Sequence, residues 1–385
     1  MSLKKLMVLS FVLACFTVAA QSTEISVNSL ATDSKSPSHD DVIASFNKMI
    51  KNNQDVRNAL IQALAAMPVG TYWYNKKLPE VGGFFQQWLY NNPDVDNPLK
   101  MNMIFVELAY TEKGQDFVRL NPVASWLSSF FNAKGRYLDS KASTRGLSAW
   151  LSNKQVKISD YIIPKGGFTS FNEFFTRELR KNARSIDGRG DDNVVVSPND
   201  GSMGVVIPAV QDTSKIVAKG DSLNIRKIFN GNPLAERFIG GPVIMSNLGA
   251  YNYHHFHSPV SGRILLAETF QGLYDSPTDD QHVSDADIVY QHAYEHRRGV
   301  YIIKNDRVGL VGVVPIGYWM ISSVQLKLKE GDLVHKGDAI GKFAYGGSGI
   351  LLFFEPNKVR IDDPYQSDIN EPVILGQEIA ESVSD

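Results

Sequence analysis

The sequence predicts an α+β protein: a helical N-terminal domain followed by a mainly antiparallel β domain. Two observations carry this. Up to about residue 150, apolar residues recur at the spacing of amphipathic helices. After about residue 193, short β-branched runs alternate with Gly, Pro, Asn and Asp, the texture of strands joined by turns. A chain of 385 residues has room for two domains and an ample core. With 43% hydrophobic residues, 21% charged residues and a formal net charge of −2, the composition is that of a soluble globular protein. No strongly basic run stands out, so nothing argues for a nucleic-acid partner.

Residues 1–20 read as a secretory signal peptide. Lys4 and Lys5 precede an apolar run from Leu6 to Ala20, broken only by Ser10 and Thr17, and Val18-Ala19-Ala20 supplies small residues before Gln21. The run is short for a membrane-spanning helix, although an uncleaved anchor is one alternative. The single cysteine, Cys15, closes Val12-Leu13-Ala14-Cys15, which resembles a lipoprotein processing site, so a lipid anchor through Cys15 is another. Cleavage after Ala20 leaves a chain with no thiol, hence no disulfide and no cysteine chemistry. The expected destination is outside the cytoplasm: the periplasm, in a Gram-negative bacterium.

Residues 21–38 are rich in Ser, Thr and Asn and read as a flexible lead-in. The helical domain, 39–150, follows. Val42, Ile43, Phe46, Met49 and Ile50 share a helix face, as do Val56, Leu60, Ile61 and Leu64. Pro68, after Ala65-Ala66-Met67, ends the second run because proline cannot continue a helix. Further helical patterns cover roughly 84–90, 100–110 and 123–138, where Trp88, Trp126, Phe130 and Phe131 are core material. In the β part, Val194–Val196, Gly204–Ile207, Gly262–Leu266 and Val308–Val313 are the clearest strands. No G-x-G-x-x-G follows a strand, and there is no P-loop. Glu330–Gly341 has the turn spacing of a hammerhead-like β module, in which Lys336 suggests lipoyl or biotinyl attachment. That reading is secondary, because the segment runs straight on towards Gly346-Gly347-Ser348.

Three stretches carry polar groups too specific for a generic β domain. In Ser197-Pro198-Asn199-Asp200-Gly201, Asp-Gly is ordinary turn chemistry when taken alone. Tyr253-His254-His255-Phe256-His257-Ser258-Pro259 holds three of the chain's eight histidines. His255 and His257 share a strand face, and a metal site is one reading, although no further Cys, Asp or Glu sits at ligand spacing. In Phe343-Ala344-Tyr345-Gly346-Gly347-Ser348, two glycines meet a serine before the apolar run Ile350–Phe354. This places Ser348 on a tight bend at the mouth of a sheet, where its hydroxyl approaches the carbonyl of its own preceding peptide. A carboxylate, an imidazole and a hydroxyl are the parts of an activated nucleophile. There is no G-x-S-x-G elbow, so an ordinary serine hydrolase fits poorly.

These motifs resemble the phosphatidylserine decarboxylase family of pyruvoyl enzymes over residues 165–385. The landmarks are Gly167-Phe168-Thr169-Ser170-Phe171-Asn172-Glu173-Phe174-Phe175-Thr176-Arg177, then the Asp200, His257 and Ser348 stretches, in the family's order. The helical part, with Thr111-Glu112-Lys113-Gly114 and Leu120-Asn121-Pro122 before Trp126, is similar to the extra domain of fungal tryptophan decarboxylases. The resemblance implies that Ser348 attacks the Gly347 carbonyl and that the chain splits between Gly347 and Ser348. A β chain then ends at Gly347, and the α chain 348–385 carries a pyruvoyl cofactor made from Ser348. It makes His257 the base, Asp200 its partner, and His254 the histidine of proton handling in decarboxylation. His255 receives no role, and no metal is implied. The substrate amine condenses with the pyruvoyl ketone to a Schiff base, and the group acts as electron sink while carbon dioxide leaves.

Phosphatidylserine is the implied substrate, giving phosphatidylethanolamine; with no spanning helix beyond residue 20, such a lipid requires peripheral membrane contact. A soluble L-amino acid, aromatic in the tryptophan case, is the alternative, as are a non-cleaving binding module and a metal-dependent hydrolase. The family commonly has Thr or Ser after the serine where this chain has Gly349, and the missing hydroxyl is expected to slow maturation.

Overall fold

The computed structural model of the chain describes residues 39–211, 213–215, 222–272, 293–320, 323–367 and 371–383. The expected signal peptide (1–20) with Cys15 and the lead-in (21–38) lie outside the described residues. The described residues fall within one compact unit, Lys35–Asp385. The architecture is α+β with antiparallel sheets.

The helical part opens with α1 (His39–Asn52), α2 (Gln54–Ala65), α3 (Leu78–Tyr90), α4 (Lys100–Ala109), α5 (Glu112–Val118) and α6 (Asn121–Leu138), followed by α7 (Leu147–Ser152). Local chemistry sets several boundaries. The Asn53 side chain caps α2 by accepting from Val56 N at 3.1 Å, and α2 stops three residues before Pro68. Thr111 caps α5, accepting from Gly114 N at 2.9 Å. Helix α5 is too short to show a period, and its cap is the only sequence signal for it.

The apolar faces of these helices meet in one aromatic-rich core. Phe85 is its hub, with ring centroids 4.7 Å from Trp126, 5.1 Å from Phe130 and 5.2 Å from Phe46. The Trp126 indole N–H donates to Val42 O at 2.8 Å, so the buried polar atom of the ring is satisfied.

Helix α8 (Phe171–Phe175) leads into the strands. These are β1 (Val194–Val196), β2 (Gly201–Ile207), β3 (Thr213–Lys215), β4 (Ser222–Asn224), β5 (Val243–Leu248) and β6 (His255–His257). There follow β7 (Gly262–Phe270), β8 (Arg297–Asn305), β9 (Gly309–Met320), β10 (Val324–Leu326), β11 (Leu333–Val334) and β12 (Ala339–Phe343). The last are β13 (Gly346–Phe354), β14 (Val359–Ile361), β15 (Pro372–Val373) and β16 (Glu378–Ser382). Eight strands form one sheet in the order β11-β7-β8-β9-β13-β5-β2-β15; smaller sheets are β10-β12-β6 and β1-β16-β14.

Strand β13 is apolar on both faces because both faces are covered. Ile350, Leu352 and Phe354 join a core with Phe256, Ile340 and Phe343 of the β10-β12-β6 sheet. Leu351 and Phe353 point into a second core with Ile225, Ile228, Phe229 and Phe238.

The helical core runs on into Phe171, Phe174, Phe175 and Tyr345. The connection between α3 and α4 is tied to the β part by hydroxyls: Tyr251 Oη donates to Val95 O at 2.6 Å, and Tyr345 Oη donates to Pro98 O. Tyr345 stands three positions before Ser348, so the helices pack directly against the segment that leads into the serine.

Phe85→Ala empties the middle of the aromatic core and is expected to lower unfolding free energy by about 3–5 kcal/mol. Urea denaturation checks this; a loss below about 1 kcal/mol would mean that Phe85 is not the hub.

Candidate active site

The bend in the glycine-rich stretch falls at Tyr345, and Ser348 lies inside β13 rather than on a turn. This corrects the sequence expectation. Ser348 is flanked on both sides, opposite Leu248 of β5 and Gly317 of β9, and is completely buried. The reason is that the apolar run starts pairing early: the ladder with β9 already includes Gly346. The irregularity survives as a β-bulge. Gly346 faces Met320 while Gly347 faces Tyr318, so the register slips immediately before the Gly347–Ser348 peptide. Gly346 takes φ +150°, a state that side chains rarely adopt. The residue directly across from Ser348 on β9 is Gly317, which has no side chain.

Gly349 has a local explanation. A Cβ placed there would meet Met245 Cε at 2.9 Å and Asn247 Oδ1 at 3.2 Å. A Ser or Thr there would have to displace the tips of these two β5 side chains.

Asp200 sits at the end of the Ser197–Asp200 loop, just before β2. Gly201 must be glycine: a Cβ there would lie 2.0 Å from Asn247 O. This close approach draws the loop against β5, the strand that pairs with Ser348 on its other side. Ser246 Oγ donates to Asn199 Oδ1 at 2.6 Å and fixes the loop. Asp200 itself is held by Arg184, whose Nε donates to Oδ1 at 2.9 Å and Nη2 to Oδ2 at 2.6 Å, and by Leu375 N at 2.9 Å. Arg184 also donates to Asp160 Oδ2 at 2.9 Å, and Asp200 first, then Asp160, raises its pKa.

His257 N donates to Pro198 O at 2.8 Å, so the histidine strand and the Asp200 loop are neighbours. Its ring, however, does not bond to Asp200. Nδ1 lies 2.8 Å from Gly337 O and Nε2 lies 3.2 Å from Tyr253 Oη. A carbonyl only accepts, so Nδ1 carries the proton, and Tyr253 donates to the Nε2 lone pair. Asp200 acts on the imidazole through its charge rather than by contact. Burial lowers the His257 pKa, while the Gly337 bond and Asp200 raise it.

His254 is completely buried, with its ring centroid 3.8 Å from that of Phe175. Nδ1 lies 3.0 Å from Asn252 O and therefore donates; Nε2 has no hydrogen-bond partner among the described residues. Arg177, which closes the Gly167–Arg177 motif, donates to Tyr251 O at 2.7 Å and to Asn252 O at 3.1 Å, fixing the carbonyl that orients His254. Burial pulls the His254 pKa down to about 3, and the charge of Arg177 adds to this. His255 lies flat against Tyr253, its centroid 4.7 Å away, and donates Nε2–H to Thr176 O at 3.0 Å. Burial lowers its pKa to about 4. The three histidines thus address three different carbonyls. Among the described residues no group of three or more His, Cys, Asp or Glu is placed to hold a metal ion.

Ser348 is thus a fully buried hydroxyl beside a glycine bulge, and His257 stands on a strand hydrogen-bonded to the Asp200 loop. Comparison with known proteins gives the family. The family model for phosphatidylserine decarboxylase matches residues 171–381. A Fusobacterium nucleatum phosphatidylserine decarboxylase proenzyme is 30% identical over 247 residues, covering 63% of this chain and 80% of the relative. The Clostridium novyi phosphatidylserine decarboxylase proenzyme is 27% identical over 302 residues, covering 77% and 92%. A Schizosaccharomyces pombe relative, phosphatidylserine decarboxylase proenzyme 3, is 27% identical over 291 residues, or 74% of this chain and 30% of that one. The chain belongs to the phosphatidylserine decarboxylase family.

Neutral buried histidines make the fold acid-sensitive. In the unfolded chain they take up protons near 6.5; in the fold His254 and His255 do so only near 3 and 4. Their depressed values contribute stability that is complete above about pH 6.5 and lost as pH falls towards 4. The urea midpoint is expected to drop across that window, and to drop less in His254→Leu. A midpoint independent of pH in both proteins would contradict the burial of neutral imidazoles.

Proposed function

We propose that this chain is a self-processing, pyruvoyl-dependent phosphatidylserine decarboxylase that removes the α-carboxylate of phosphatidylserine and leaves phosphatidylethanolamine. The observation that carries the proposal is Ser348, fully buried next to the Gly346–Gly347 bulge in a chain of this family.

In the first step Ser348 Oγ attacks the Gly347 carbonyl carbon. His257 Nε2 takes the hydroxyl proton after exchanging Tyr253 for Ser348, with Nδ1–H retained on Gly337 O. The Ser348 nitrogen leaves as the amine, and the peptide has become an ester. Loss of the Ser348 Cα proton then expels the Gly347 carboxylate and leaves a dehydroalanine. Its imine tautomer adds water and loses ammonia, which gives a pyruvoyl group at the head of the 348–385 chain. Asp200, clamped by Arg184, favours the imidazolium that forms at His257.

The residues fit the group. A pyruvoyl has one heavy atom fewer than serine, since a ketone oxygen replaces the nitrogen on the former Cα and Oγ is lost from Cβ, so it needs no more room than Ser348 occupies in β13. When formed, it supplies an electron sink for loss of carbon dioxide. His254 is the group that handles a proton beside it: its buried Nε2 lone pair is unused by the fold, and Arg177 and Asn252 O hold the ring still. No described helix is long and apolar enough to cross a membrane, and a lipid substrate is proposed to reach the site by surface contact. We also propose that residues 1–20 direct export.

Ser348→Ala is expected to leave a single unsplit chain that forms no phosphatidylethanolamine from phosphatidylserine, while His254→Ala splits normally and turns over at least about a hundredfold more slowly. Denaturing gels and product analysis by mass spectrometry check both. A Ser348→Ala protein that still splits would end this reading, and normal turnover by His254→Ala would remove that histidine from the chemistry.

A further inference from the structure

Lys336 is 1% exposed, and the sequence singles it out as a candidate attachment lysine. The fold rules out attachment. Its Nζ donates to three backbone carbonyls, Gly188 O at 2.5 Å, Asp191 O at 2.6 Å and Val194 O at 2.8 Å. The ammonium thereby stitches the 188–194 loop to the turn between β11 and β12. Three charge-assisted bonds at one buried ammonium make this a rigid junction.

The junction adjoins the catalytic base. Residue 337 supplies the carbonyl that receives His257 Nδ1–H at 2.8 Å. The backbone there is fixed from both sides: Gly337 N donates to Ser258 O at 2.8 Å and Ser258 N donates to Asp338 O at 2.8 Å. Lys336 N in turn donates to Ser261 Oγ at 3.0 Å. Gly337 takes φ +86°, and a Cβ on it would lie 2.8 Å from Ile186 Cδ1. Its carbonyl is therefore aimed by a backbone conformation that a glycine adopts and that its neighbours must hold.

We infer that Lys336 is a positioning residue for self-cleavage: it pins the Gly337 carbonyl on His257 Nδ1–H, which leaves Nε2 as the only basic nitrogen. The inference rests on the reading of His257 as the base. A histidine without this partner populates both tautomers, and in one of them the nitrogen turned away from Gly337 carries a proton and accepts none. Tyr253, His255, Asp200, Asp338 and Lys327 face His257; Asp187, Asp191, Asp192 and Glu378 surround Lys336.

The test follows self-cleavage of freshly refolded full-length precursor against pH. Lys336→Met is expected to split at least about tenfold more slowly than wild type. The pH midpoint of its rate is also expected to shift to lower pH, because the Gly337 bond that raises the His257 pKa is weakened. Lys336→Arg restores most of the rate. Nitrogen-15 spectra of His257 in the unsplit Ser348→Ala background give a second measurement that needs no cleavage. The Nδ1–H form alone is expected with Lys336, and a mixture with Lys336→Met. An unchanged rate and pH midpoint in Lys336→Met, or a slower rate with the tautomer unchanged, would overturn the inference. A wild-type chain that never splits would instead remove the self-cleavage reading, while the spectra would still report on Lys336.

Discussion

The structure depends on the two-sided pairing of β13. Its C-terminal half is an ordinary buried strand, apolar on both faces and central in an eight-stranded sheet. Its first residues are glycines that slip the register against β9 just before the serine. The strong half of the strand anchors the weak half, so the Gly347–Ser348 peptide is held in place although its own residues contribute little packing. A buried peptide fixed in this way meets the first requirement of an intramolecular attack, since the reacting groups are already paired in space.

Around that anchor the polar groups are set by backbone carbonyls more than by one another. His254, His255 and His257 each bond to a different carbonyl, and the carboxylate of Asp200 is occupied by Arg184 and Leu375 N. The result differs from a hydrogen-bonded Ser-His-Asp row. The tautomer of His257 is chosen by Gly337, and the acid contributes through charge. Tyr253 occupies Nε2 of His257, the proposed base, in the described conformation. In the proposed self-cleavage, His257 Nε2 exchanges Tyr253 for Ser348 while its bond to Gly337 O is kept.

Much of this was legible in the chain. The helical period and the turn-separated β runs are short-range signals and correspond to real helices and strands, and the His257 strand lies beside the Asp200 loop. The sequence did not show Arg184, Tyr253 or Gly337 as partners. Arg184 reads as a surface charge in a loop, and Gly337 acts through a main-chain oxygen that any residue possesses. For Lys336 the turn spacing suits an attachment lysine, a reading secondary in the sequence, and only the fold shows that the side chain is buried. Ser348 was placed on a bend because glycines favour turns; the ladder with Gly317 and Leu248 overrides that local preference. At Gly349 the sequence shows a missing hydroxyl, and the fold adds that the Met245 and Asn247 side chains from the next strand reach into the space beside it.

The central claim is that the strand end at Ser348 turns into a ketone. Intact-mass and fragment analysis of the purified protein addresses it directly. The account predicts a short chain spanning 348–385, resistant to amino-terminal sequencing, lighter by one ammonia than the serine-headed peptide, and reducible by borohydride. A single unbroken polypeptide, or a short chain with a free serine amine at its head, would contradict it.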